Sequence, residues 1–117
     1  MGDQREVDGR ALRDNEETRR LADVFKALGD PTRIALLYLL SHGEMNVGQL
    51  ARAVGADDSI SAVSHHLRVL REARIVDCVR RGPWAYYFLR PDLSPLARAT
   101  VDEVLAAQSL GCAAPGT

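Results

Sequence analysis

Between Ser59 and Ala73, Ser61, Ser64, His65 and Arg68 recur at intervals of one, three and four residues. On an α-helix these positions share one side, which then carries two hydroxyls, an imidazole and a guanidinium on successive turns. Such groups hydrogen-bond to base edges and phosphates, and a helix bearing them fits the major groove of duplex DNA. Arg68 has the fork geometry for two-point contact with a guanine. The opposite side is aliphatic: Ile60, Val63, Leu67 and Leu70 fall within an arc of about 80° and are the expected core face. A merely solvated helix face usually holds several Lys and Glu; this one has no Lys and only Glu72, at its far end.

A second basic feature follows. Ile75–Arg80 is β-prone, Arg81-Gly82-Pro83 is a turn, and Trp84–Leu89 is a second β-prone run, so the segment is expected to form a hairpin with Arg80 and Arg81 at its tip. Short, cationic and extended, that tip suits contact with a phosphate backbone or a minor groove. Trp84, Tyr86 and Tyr87 are expected as strand residues, some turned to the core by alternation, rather than as base-stacking platforms. From Ser59 to Arg90 six Arg oppose two acids, Glu72 and Asp77, although the whole chain has a net charge of -1. The near-neutral total supports the competing expectation, a protein-interaction module that has kept the shape and lost the DNA. An enzyme is not expected: there is no nucleophile–base arrangement, no glycine-rich phosphate loop and no paired carboxylates.

The elements that must hold these residues follow from periodicity and punctuation. Residues 1–14 are polar and are expected to form a flexible arm, residues 15–110 the folded domain, and residues 111–117 a flexible tail. Asn15 caps a first helix ending at Leu28, with Gly29 as a left-handed stop. Asp30-Pro31 opens a second helix, apolar nearly all round from Ile34 to Leu40 and therefore central to the core. Asn46 caps a short third helix closed by Gly55; Asp58 or Ser59 caps the fourth; Ser94-Pro95 opens a last helix carrying Ala97, Val101, Val104 and Leu105. The third and fourth helices with their tight turn make a helix-turn-helix. The fold class is thus mainly α with a small β-hairpin (α+β): four helices, a two-stranded wing and a C-terminal helix. One domain exhausts 117 residues. With no apolar signal core near its start, the chain is expected to be cytoplasmic. His66, at the margin of the core face, is expected half-buried and hydrogen-bonded, and His42 sits at a helix C-terminus where the dipole favours a cation. Cys78 and Cys112 make no CxxC pair and are expected as reduced thiols.

The run Ile60-Ser-Ala-Val-Ser-His-His-Leu-Arg-Val-Leu-Arg-Glu-Ala-Arg-Ile-Val76 resembles the recognition-helix motif of the ArsR/SmtB family of metal-responsive repressors, and Leu28-Gly-Asp-Pro-Thr-Arg-Ile34 resembles that family's opening motif. The resemblance spans about residues 17 to 108. It implies a homodimeric winged helix-turn-helix regulator whose first and last helices form the interface. It also implies one recognition helix in each half of an inverted-repeat operator, Ser61, Ser64, His65 and Arg68 reading bases, and Arg80 and Arg81 flanking them. The family's sensor sites are not matched. Asn46 and Gly48 stand where a cysteine pair would bind a soft metal, and on the last helix Asp92 remains while Ser94 replaces a histidine. Three expectations stay open: a divalent metal such as nickel or zinc held by some set of Asp23, His42, Asp92, Asp102 and Glu103 across the dimer; oxidation of Cys78 or Cys112; or no effector of its own, the protein acting constitutively or with a co-regulator protein as partner.

Overall fold

The computed structural model describes residues 7–55 and 59–112, with side chains through residue 108. Helix α1 (Gly9–Asp14) is wholly exposed and lies in the stretch expected as an arm. Helix α2 (Glu16–Leu28) begins where Asn15 accepts from the backbone N–H of Glu17 and Thr18. It stops at Gly29, whose φ of -85° is not the left-handed value anticipated; the chain turns straight into the next helix without a left-handed reversal. In α3 (Pro31–Leu40) Asp30 caps Thr32 and Arg33, and Leu36, Leu37 and Leu40 are buried. Of the helix's other apolar residues, Ile34, Ala35 and Leu39 are half-buried.

A two-residue strand β1 (Met45–Asn46) runs directly into α4 (Val47–Val54), and Asn46 belongs to both features. Its side chain accepts from Gln49 N–H at 2.9 Å while the Gln49 side chain accepts from Asn46 N–H at 2.9 Å, a reciprocal cap. Gly55 closes the helix at φ 128°, a conformation that side chains rarely adopt. Helix α5 (Ile60–Glu72) starts at Ser59, which caps Ala62; Asp58, the other candidate cap, lies outside the described residues. Strands β2 (Val76–Arg81) and β3 (Trp84–Leu89) form the hairpin, joined by Gly82-Pro83 with Gly82 at φ 65°. A glycine of positive φ followed by a residue of fixed negative φ suits the type II′ turn, one of the two favoured two-residue hairpin turns. The wing is one strand larger than the sequence suggests, because β1 pairs with β3 (Met45 with Tyr87, Asn46 with Tyr86) to give the antiparallel order β1-β3-β2. That pairing ties the root of the wing to the first turn of α4. Helix α6 (Pro95–Cys112) follows, with Ala97 N–H bonded to Ser94 Oγ at 3.2 Å.

One core holds these pieces: Leu36, Leu37, Leu50, Leu67, Leu70 and Ile75 are fully buried between α3, α4, α5 and the sheet, and Ala97 and Val101 attach α6 to it. Each such side chain contributes about 1.5–3 kcal/mol of burial. The Cα radius of gyration is 17.4 Å, where a compact chain of this length has about 13–14 Å. Phe25 on α2 and Leu96 on α6 are left about half exposed.

Candidate nucleic-acid interface

Helix α5 is fixed from one side. Val63, Leu67 and Leu70 have no exposed surface, and these three anchor it against α2, α3 and α4. Ile60, expected with them, is 60% exposed. As the first helical residue its Cα–Cβ bond tilts toward the helix N-terminus, past the end of the packed layer. The other side is as anticipated: Ser61, His65 and Arg68 are exposed and Ser64 is half-buried. The structure brings these four onto one open face, and Arg68 makes no ion pair among the described residues.

The basic charge of the following segment is not all available. Arg71 donates to Asp77 Oδ1 at 3.1 Å, Arg90 makes a two-point contact with Asp92 at 3.0 and 2.9 Å, and Arg81 pairs with Glu44. Arg68, Arg74 and Arg80 have no carboxylate partner among the described residues. At the wing tip, Arg80 reaches only the Pro83 carbonyl, at a long 3.5 Å. The Arg81 guanidinium also lies 5.5 Å from the Tyr86 ring centroid. The Glu44 pairing was not visible in the sequence, since 37 residues separate the two and only β1 docking on β3 brings them together. Trp84 is 55% exposed at the tip, whereas Tyr87 and Leu89 pack against the core, as strand alternation requires.

His66 is half-buried, with Nδ1 3.1 Å from Arg33 Nη1. Its hydrogen-bonded state was expected; its partner, on α3, was not. His42 is exposed at the end of α3, its Nδ1 3.0 Å from the Tyr38 carbonyl. Cys78 is half-buried opposite Tyr87; burial first, and then the adjacent Cys78, raise the Tyr87 pKa above its ordinary value. The side chain of Cys112 lies outside the described residues. Among the metal-ligand candidates, Asp23 and Asp92 line one groove between α2, α5 and α6, together with Arg20, Arg74 and Arg90. Asp92 is committed there: the Arg90 hydrogen bond, and then its charge, hold the carboxyl below its usual value. Asp102 and Glu103 are exposed on α6. Among the described residues of one chain, no three His, Cys, Asp or Glu side chains gather as a group that could hold a metal ion. No helix among the described residues is long and apolar enough to cross a membrane.

A buried aliphatic stripe, an open polar face and a strand-paired wing behind it form an arrangement shared with known proteins. The profile of bacterial regulatory proteins of the arsR family matches residues 30–77, from the cap of α3 to β2. An HTH-type transcriptional regulator of Methanocaldococcus jannaschii is 34% identical over 90 residues, covering 76% of this chain and 99% of that protein. The transcriptional repressor SdpR of Bacillus subtilis is 40% identical over 67 residues, covering 57% of this chain and 72% of that one. The chain belongs to the arsR family. Its fold matches the homodimeric winged helix-turn-helix DNA-binding domain solved in solution from Mycobacterium bovis, with a TM-score of 0.67 at 25% identity over 97% of this chain and 99% of that one. As an arsR-family protein it is a winged-helix DNA-binding transcriptional regulator and not an enzyme.

Proposed function

We propose that this regulator is a cytoplasmic homodimer that represses transcription by occupying an inverted-repeat operator. One α5 enters each half-site, where Ser61, Ser64, His65 and Arg68 read bases. Arg80, with Arg81 beside it, meets the flanking backbone. The observation that carries this reading is the division of α5 into a fully buried stripe (Val63, Leu67, Leu70) and an open Ser/His/Arg face. Helices α2 and α6 form the dimer interface. Supporting this, they leave Phe25 and Leu96 about half exposed, and the Mycobacterium bovis neighbour is homodimeric. The two α5 helices of such a dimer sit about 34–36 Å apart, one turn of B-DNA.

The test is a titration of duplex DNA from the promoter region upstream of the chain's own gene, at low and high salt, with stoichiometry from sedimentation. Two chains per repeat and binding that weakens steeply with salt are expected. A protein that stays monomeric, or shows no salt-sensitive shift, overturns the proposal and leaves an interaction module. Repeating the titration with zinc, nickel and peroxide reads the effector. A tenfold change in affinity, about 1.4 kcal/mol of coupling, marks a sensor whose ligands come from both subunits or from a thiol, and a flat response assigns regulation to a partner protein.

A further inference from the structure

The two wing-tip arginines are in different states. Arg80 has no anionic partner among the described residues, whereas Arg81 is already engaged by the Glu44 carboxylate and lies over Tyr86. Glu44 does not dangle. It sits immediately before β1, which is hydrogen-bonded to β3, and its side chain is 35% exposed against 57% for that of Arg81. The carboxylate is therefore held at the root of the wing, with its partner's guanidinium still open to solvent on the far side.

A phosphate approaching this guanidinium exchanges one singly charged oxyanion for another. Little is gained by the exchange, and a displaced Glu44 is left beside the DNA as a like charge. We propose that Glu44 is an internal competitor of DNA phosphate for Arg81, a residue that limits the backbone affinity of the wing. The inference rests on the reading above, that the wing meets DNA. It reduces the wing's effective positive charge to that of Arg80 in the resting protein.

Full-length chains carrying Glu44→Gln, Arg81→Gln, both together, or Arg80→Gln are titrated against a labelled mixed-sequence duplex between roughly 50 and 200 mM salt. Mixed-sequence DNA reads backbone contacts without requiring the operator. Glu44→Gln is expected to bind more tightly than the parent and with a slope of log affinity against log salt steeper by about 0.9, the increment of one additional phosphate contact. Its advantage is then about threefold larger at the low-salt end than at the high-salt end. In the Arg81→Gln background the steeper slope disappears. Melting curves followed by circular dichroism confirm that each chain is folded. Parent-like binding by Glu44→Gln overturns the inference. So does an undiminished gain in the Arg81→Gln background, because Glu44 then acts by general repulsion and not through Arg81. The wing reading fails separately: if Arg80→Gln weakens binding while Glu44→Gln changes nothing, only the competitor role falls, and if Arg80→Gln, Arg81→Gln and Glu44→Gln all bind as the parent does, the wing does not meet DNA and both fall.

Discussion

Arg33 Nη1 lies 3.1 Å from Nδ1 of His66, joining the first turn of α3 to the middle of α5. The same guanidinium donates through Nε to the Ala27 carbonyl at 2.7 Å and through Nη2 to that of Lys26 at 3.3 Å. One side chain therefore bonds the Ala27 carbonyl, adds a second bond to the Lys26 carbonyl that already accepts from Gly29 N–H, and holds α5 to the end of α2. A guanidinium only donates, so in this contact Nδ1 of His66 is the acceptor.

Removing this clamp is expected to destabilise the chain. Arg33→Ala should cost about 2 kcal/mol by urea unfolding, because three charge-assisted bonds are lost in a partly exposed site. Arg33→Lys should recover little of it, since an ammonium cannot reproduce three bonds in the fixed plane of a guanidinium. A loss for Arg33→Ala of less than about 0.5 kcal/mol would show that water replaces the clamp without penalty.

Asp30 gives an acid-dependent term of definite sign. Burial acts to raise its pKa, but hydrogen bonds from the Arg33 and Thr32 backbone N–H groups, helped by the Arg33 charge, outweigh it and hold the carboxyl below its ordinary value. A carboxyl depressed in the folded state stabilises the fold fully above its unfolded value of about 3.9, and that stabilisation is lost as pH falls through the lower folded value. Asp30→Asn keeps a capping oxygen and should flatten the acid loss below about pH 4, while Asp30→Ala removes the cap and should cost about 1 kcal/mol at neutral pH. Equal acid sensitivity of the parent and Asp30→Asn, measured as unfolding free energy against pH, would remove Asp30 from the account.

The caps were the most legible part of the chain. Asn15, Asp30, Asn46 and Ser94 each begin a helix as their types and neighbours imply, because capping is settled within four residues. The α5 polar face was legible for the same reason, a helix fixing which residues share a side. What escaped detection is non-local or too short. Strand β1 has two residues, below any period-2 pattern. The Arg33–His66 and Arg81–Glu44 contacts span 33 and 37 residues and exist only after α3 packs on α5 and β1 on β3. Counting arginines overstated the free positive charge, because Arg71, Arg81 and Arg90 each have an acidic neighbour that sequence alone did not assign to them.

Arg74 is the one described non-glycine residue with positive φ, at 62°, two residues beyond the end of α5. The left-handed conformation costs an ordinary residue about 1–2 kcal/mol, partly offset when a glycine is introduced by the greater freedom of the unfolded chain. Arg74→Gly is therefore expected to stabilise the fold by about 0.5–1 kcal/mol, seen as a higher melting temperature. Arg74→Ala keeps the strain and should show no such gain. An Ala variant as stable as the Gly variant would point to the loss of the arginine side chain, and not the backbone, as the cause.

Arg68 and Arg71 separate reading by geometry from attraction by charge. Both are exposed arginines on α5, three residues apart, but Arg71 is tied to Asp77 while Arg68, beside Ser61, Ser64 and His65, has no ion-pair partner among the described residues. A guanidinium that contacts a base edge carries sequence information, and its loss is felt at one position of the site; a guanidinium paired inside the protein carries none. Arg68→Ala is expected to weaken operator binding by about 1–3 kcal/mol and to relax discrimination at a single base pair. Arg71→Ala should leave affinity within about threefold and discrimination unchanged, while loosening the junction between α5 and β2. The comparison is made by titrating both variants against the operator and a set of single-base substitutions of it. If the two behave alike, or if Arg68→Ala binds every duplex as the parent does, the open face of α5 is not the surface that reads DNA.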